Sequence, residues 1–162
     1  MIILFIIPGV ILYLLLAHII SYNYLKKKVL ESRKWDLNIC CGKTDGGGIN
    51  ADIHKHKELP NFVLVKDIYN LPFKDKKFKT VLCSHTIEHV DDPEKFLKEL
   101  KRVGKEVVIV VPPLYDIGAV LNVLEHKWIF LSFRKEYSKL PKHIKLPLSR
   151  TIQKQFGQLI NA

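Results

Sequence analysis

The sequence predicts an α/β fold, a pared-down, doubly wound and mostly parallel sheet preceded by one transmembrane helix. Short apolar runs recur through the middle of the chain, each ending in a loop that carries a glycine or an acid. Two of them, residues 80–83 and 107–111, flank a segment with helical spacing, which makes a right-handed βαβ unit. Residues 2–20 are almost wholly apolar, and residues 1–25 contain no Asp, Glu, Lys or Arg.

A helix over residues 2–20 spans roughly 28 Å, close to the hydrocarbon thickness of a bilayer. Lys26, Lys27 and Lys28 follow at once. The positive-inside rule then leaves the N-terminus outside and the rest of the chain cytoplasmic. A cleaved signal peptide would want a basic start and a small-residue cleavage site. A buried core helix is the other competing reading, since Pro8, Gly9 and His18 interrupt the run.

The expected domains are an anchor at 1–25, a connector at 26–35, a catalytic domain at 36–133 and a basic segment at 134–162. Residues 35–41 read as a first strand running into Gly42, followed by a loop with Gly46, Gly47 and Gly48. Residues 49–53 form a second strand that delivers Asp52, and 62–65 a third that leads to Asp67. The links between these three strands are too short for full crossover helices. Next comes Leu71-Pro72-Phe73, then the central unit. There, Asp92 caps a helix starting at Pro93, with Phe96, Leu97, Leu100 and Val103 on its apolar face. Gly104 is expected to stop it in the left-handed conformation. Beyond Pro113, residues 117–125 suggest a helix and 128–133 a strand.

The 162-residue chain carries a net charge of +10, all of it after residue 25. In residues 134–162, seven Lys or Arg face only Glu136. Aromatics do not interleave with these cations as a nucleic-acid platform requires, so no nucleic acid is expected. An anionic leaflet or plain solvent is the expected neighbour. Cys40, Cys41 and Cys83 have no framework spacing and read as reduced core residues.

Ligands of parallel sheets bind at the carboxyl ends of the strands. Here those ends offer a glycine turn, Asp52, Asp67 and Ser84-His85-Thr86-Ile87-Glu88-His89. A glycine turn followed by two acids in register suits a nucleoside: backbone N–H groups approach the ligand, and carboxylates accept from a ribose diol and an amino group.

Three stretches, 37–53, 65–73 and 81–103, together resemble class I S-adenosylmethionine-dependent methyltransferases of the small, type-11-like group. The resemblance implies a Rossmann-like fold and S-adenosylmethionine as cofactor. It implies that Asp52 and neighbouring Ile53 lie at the ribose, Asp67 and Ile68 at the adenine, and Gly42 at the methionine moiety. Asn38 stands where the family has an acid at the ligand's amino end, Cys40 where it has its first glycine, and Ser84 and His85 close the site. His85 or His89 is the candidate general base. The expected acceptor is a small molecule or a lipid- or sugar-linked one at the cytoplasmic membrane face; the oligomeric state is not specified. The alternative is a catalytically eroded scaffold on the membrane.

The pattern His85-x-x-Glu88-His89 also matches an inverted zinc-protease motif. That motif needs both histidines on one helical turn, whereas the helix here starts only after Asp92. No metal is expected as resident, although Glu88 and His89 could hold a divalent ion, completed by His126 or Asp116. A nicotinamide dehydrogenase would need its glycines to open a helix, and Gly42 to Gly48 open none.

Overall fold

The computed structural model describes residues 2–156. Of the basic segment, residues 157–162 lie outside the described residues, as does Met1. Helix α1 (Ile2–His18) runs through a π-helical stretch (Ile19–Leu25) into α2 (Lys26–Glu31), so the expected connector is largely helical. Strands β1 (Leu37–Ile39), β2 (Ile49–Asp52), β3 (Phe62–Leu64), β4 (Phe78–Ser84) and β5 (Gly104–Val110) follow, with α3 (Pro93–Val103) joining β4 to β5. The chain closes with α4 (Ile117–Val120), β6 (Trp128–Phe130), β7 (Glu136–Tyr137), β8 (His143–Lys145) and α5 (Ser149–Phe156).

The main sheet has the order β3-β2-β1-β4-β5-β7 and is parallel except for β7 on β5. This is the mostly parallel, Rossmann-like arrangement expected of the fold. Loops rather than helices join β1, β2 and β3, as the short links required.

The two faces of β4 and β5 are covered differently because neighbouring side chains alternate. Val81, Cys83, Val107 and Ile109 pack with Phe96, Leu97, Leu100 and Val103 of α3. Leu82, Val108 and Val110 face the other way, against Val29 of α2 and Trp35. The N-terminal helix is therefore a layer of the domain as well as an apolar rod. Its outer residues, from Ile6 to Ile20, are mostly exposed.

Asp92 caps α3 by accepting from Lys95 N, with Pro93 in the first position. Gly104 does not adopt the left-handed stop: with φ −112° and ψ 149° it already begins β5. Glycine is required for another reason, since a Cβ there would meet Val81 Cγ2 at 2.5 Å. The expected helix at 117–125 is only α4. The expected strand at 128–133 shortens to β6, which leaves the main sheet to pair with β8. Lys135 is buried, so the basic segment is not a uniform surface. The short β7 pairs antiparallel with β5, Ile109 opposite Tyr137.

Candidate active site

The first half of the site lies at the ends of β1 and β2. The chain turns sharply after Ile39, with Cys40 at φ 52° and Gly42 at φ 55°. For Cys40 this is the left-handed region that an L side chain occupies at a cost. Gly42 donates its N–H to Asp52 Oδ2 at 2.8 Å, and Ile53 donates to Asp52 Oδ1 at 2.7 Å. Asp52 is buried; its Oδ1 also accepts from His54 N at 3.4 Å, and Oδ2 keeps a further lone pair for a diol. Nothing lies within 4 Å of where a Gly42 Cβ would be, so open space faces the turn.

Asn38 and Asn50 are register partners on β1 and β2 and hold the glycine loop from beneath. Asn38 Nδ2 donates to Thr44 O at 2.9 Å, and Asn50 Oδ1 accepts from Gly46 N at 2.9 Å. Asn38 is buried with its amide committed to that loop. Burial pushes the thiol of Cys40 well up, with Cys83 and Asp52 adding to the rise, and it takes Cys41 to about 12. Both are neutral thiols, consistent with core residues. Asp67 is exposed, its Oδ1 accepting from Tyr69 N, and Ile68 is buried beside it in sequence.

The second half lies at the ends of β4 and β5. Ser84 ends β4, and His85 follows at φ 53°, its N–H donated to Val110 O at 2.8 Å. The loop then delivers Glu88, 1% exposed, with His85 Nδ1 at 3.4 Å from its Oε1. That contact is too poorly aligned to be a hydrogen bond, and both Glu88 oxygens are unpartnered. Burial opposes ionisation of Glu88, but the imidazoles of His85, His89 and His126 outweigh it and hold the carboxyl at about 2. Burial pushes His85 down, so the ring is neutral near pH 7. If its Nδ1–H faces Glu88, Nε2 is the basic nitrogen, and Nε2 is buried without a partner. Ser84 Oγ and Asp116 Oδ2 are orphaned in the same way.

Residues distant in sequence complete this side. Tyr22, from the π-helical stretch, tilts over His85 with ring centroids 5.4 Å apart. Ser21 Oγ accepts from Lys135 Nζ at 2.8 Å. Burial lowers Lys135 to about 8 despite the pull of Glu88 and Asp116. His18 Nδ1 lies 3.3 Å from Asp116 Oδ1. Ser21, Tyr22 and Lys135 are not legible in the sequence, because two of them end an apolar run and the third sits in a basic one. Glu88, His89 and His126 offer ligand atoms within 4.8 Å of one another, a nitrogen-rich set able to take a divalent ion.

Comparison with known proteins bears on this geometry. Residues 45–111 match the model of a methyltransferase domain. That segment spans Gly46 to Gly48, Asp52, Asp67 and the His85–His89 loop.

The chain is 49% identical over 49 residues to norajmaline N-methyltransferase of Rauvolfia serpentina, covering 28% of this chain and 17% of that one. It is 36% identical over 62 residues to ajmaline N-methyltransferase of the same organism, covering 38% and 18%. The chain thus spans under a fifth of these relatives. A solved S-adenosylmethionine-dependent methyltransferase of Thermotoga maritima, described as a possible histamine N-methyltransferase, aligns with TM-score 0.45 at 25% identity, over 60% of this chain and 55% of that one.

The residues present fit an S-adenosylmethionine cofactor, because open space adjoins Gly42, Asp52 Oδ2 keeps a spare lone pair, and Ser84 Oγ lacks a partner.

Proposed function

We propose that the chain transfers a methyl group from S-adenosylmethionine to a small or lipid- or sugar-linked acceptor at a membrane face. The observation that carries this reading is the orphaned, buried Nε2 of His85 beside the matched domain's cofactor side. Gly42, Asp52 and Ile53 hold the ribose and methionine parts, and Asp67 and Ile68 the adenine. Bound there, S-adenosylmethionine supplies an activated methyl group. With its Nδ1 turned toward Glu88, 3.4 Å away, His85 presents Nε2 to take the proton that a hydroxyl or ammonium acceptor must lose. Tyr22 covers the ring and keeps water from it. The helix over residues 6–31 is long enough to cross a membrane, and its most apolar 18-residue stretch has mean hydropathy 1.8 and is mostly exposed, which supports an anchor.

Titration calorimetry with S-adenosylhomocysteine tests the cofactor side. Asp52→Ala is expected to weaken binding by roughly 30- to 150-fold, about 2–3 kcal/mol. Unchanged affinity would remove Asp52 from the site. No binding by the unmodified protein would favour the scaffold reading.

A second reading rests on the Glu88–His89–His126 set. A divalent ion held there would orient an acceptor oxygen in place of a base. Methyl transfer abolished by a chelator and restored by Mg²⁺, Mn²⁺ or Zn²⁺ would favour it.

A further inference from the structure

The contacts of α1 conflict with a simple anchor. Crossing a hydrocarbon core of about 30 Å takes roughly 20 helical residues. Tyr13, however, already donates its hydroxyl to Tyr115 O at 3.0 Å, and His18 meets Asp116. A hydrocarbon layer crossed by the apolar run therefore takes in Tyr13 itself. Whatever sits beside Tyr13 must go into the apolar layer with it.

The segment beside it is built for that. Residues 114–124 contain a single ionisable acid, Asp116, and it is 1% exposed. Its Oδ1 accepts from Ala119 N and faces His18, so the charge is turned inward. Outward, Ile117 is 41% exposed, Leu121 56% and Leu124 44%. Three exposed aliphatic side chains beside an exposed apolar helix are costly in water and ordinary in a lipid interface. Glu125 then sets the limit of the patch, and Lys26 to Lys28 lie where an anionic headgroup layer would be.

We propose that residues 114–124 enter the same leaflet as α1, so that the domain sits partly in the bilayer on its α4 side. This rests on the membrane reading above and goes further, because it fixes which face of the domain meets lipid. Tyr22, His85 and Asp116 then lie at the headgroup level, and an amphiphilic acceptor reaches them without leaving the membrane.

The test uses the full-length protein in phosphatidylcholine–phosphatidylglycerol vesicles with brominated acyl chains. Leu121→Trp and, as control, Leu64→Trp at the opposite edge of the sheet (Leu64 is 60% exposed) are compared with the unmodified protein. Trp35 is buried and Trp128 half-buried, so the added emission is read by difference. The expected result is at least a twofold loss of the added emission for Leu121→Trp and none for Leu64→Trp. If the protein floats with the vesicles but the two variants respond alike, the anchor stands and the proposal is overturned. If it does not float with them, both are overturned.

Discussion

Two buried glutamates, one in the loop before α3 and one on α3 itself, show how differently this fold treats the same side chain. Glu99, 8% exposed, is saturated: its carboxylate accepts from Arg102 Nε at 2.9 Å and Nη2 at 2.7 Å, and from Leu71 N at 2.6 Å. Arg102 goes on to Leu71 O, Phe73 O and Asp75. Glu88, 1% exposed, has both oxygens unpartnered. A buried carboxylate without donors costs stability, whereas a fully bonded one holds its loops in place. The first cluster fixes the Leu71-Pro72-Phe73 turn. The second keeps unspent hydrogen-bonding capacity at a strand end, where a ligand can use it.

The largest expected effect separates the two by activity. His85→Gln should lower methyl transfer about 10²- to 10⁴-fold, the range of general-base catalysis, with cofactor affinity nearly unchanged. Glu88→Gln should follow it in activity with only a modest fall in melting temperature, since the charge it removes is favoured by nearby imidazoles and fixes no loop. A large loss of stability in Glu88→Gln would place it with Glu99 as a structural residue.

Arg102→Ala should do the reverse. It leaves Glu99 buried without its partner and frees two carbonyls, at a cost of about 2–3 kcal/mol in denaturant unfolding. An effect below about 1 kcal/mol would mean that exposure of the guanidinium, 32% for the side chain, screens the network away.

Acid should resolve the clusters in sequence. His85 is pushed down by burial, so the folded protein binds fewer protons than the unfolded one just below pH 6.5. Stability present above that pH is lost as pH falls through this window. Glu99 is held low by Arg102, so its contribution is present above about pH 4.5 and lost below it. Melting temperatures between pH 8 and pH 3 should therefore fall in two steps. His85→Gln should reduce the upper one, which His126 shares, and Arg102→Ala the lower, which Glu88 shares. A single step shared by both variants would merge the clusters.

Much of the frame was legible because it follows from period and capping. The run 80–83, the Asp92-Pro93 start and the face Phe96, Leu97, Leu100, Val103 needed only local rules, and the loop-only links between the first strands followed from length. Gly104 was misread as a helix stop because its reason, contact with Val81, lies across the sheet. Glu88 and His89 stood out in sequence, with His126 as a candidate neighbour, but the rest of their surroundings did not. Lys135 and Ser21 meet across 114 residues, and no periodicity reports such a pair. The same distance hid the cap that Tyr22 places over His85.

The smallest expected effect lies on the cofactor side, at Cys40. Its φ of 52° is glycine-like, although the thiol packs partly against the core. Cys40→Ala removes the thiol but keeps the Cβ in the left-handed region. Cys40→Gly removes both, at the cost of a more flexible unfolded chain. The backbone term is roughly 1–2 kcal/mol and the unfolded-chain term about 0.4–1 kcal/mol in the other direction. Cys40→Gly should therefore be the more stable of the two variants by about 0.5–1 kcal/mol in urea unfolding. Both should bind S-adenosylhomocysteine like the unmodified protein, because Gly42 and Asp52 keep their hydrogen bond. If Cys40→Ala proves as stable as Cys40→Gly, the turn is not strained at this position. The cysteine then occupies a glycine-like site without penalty.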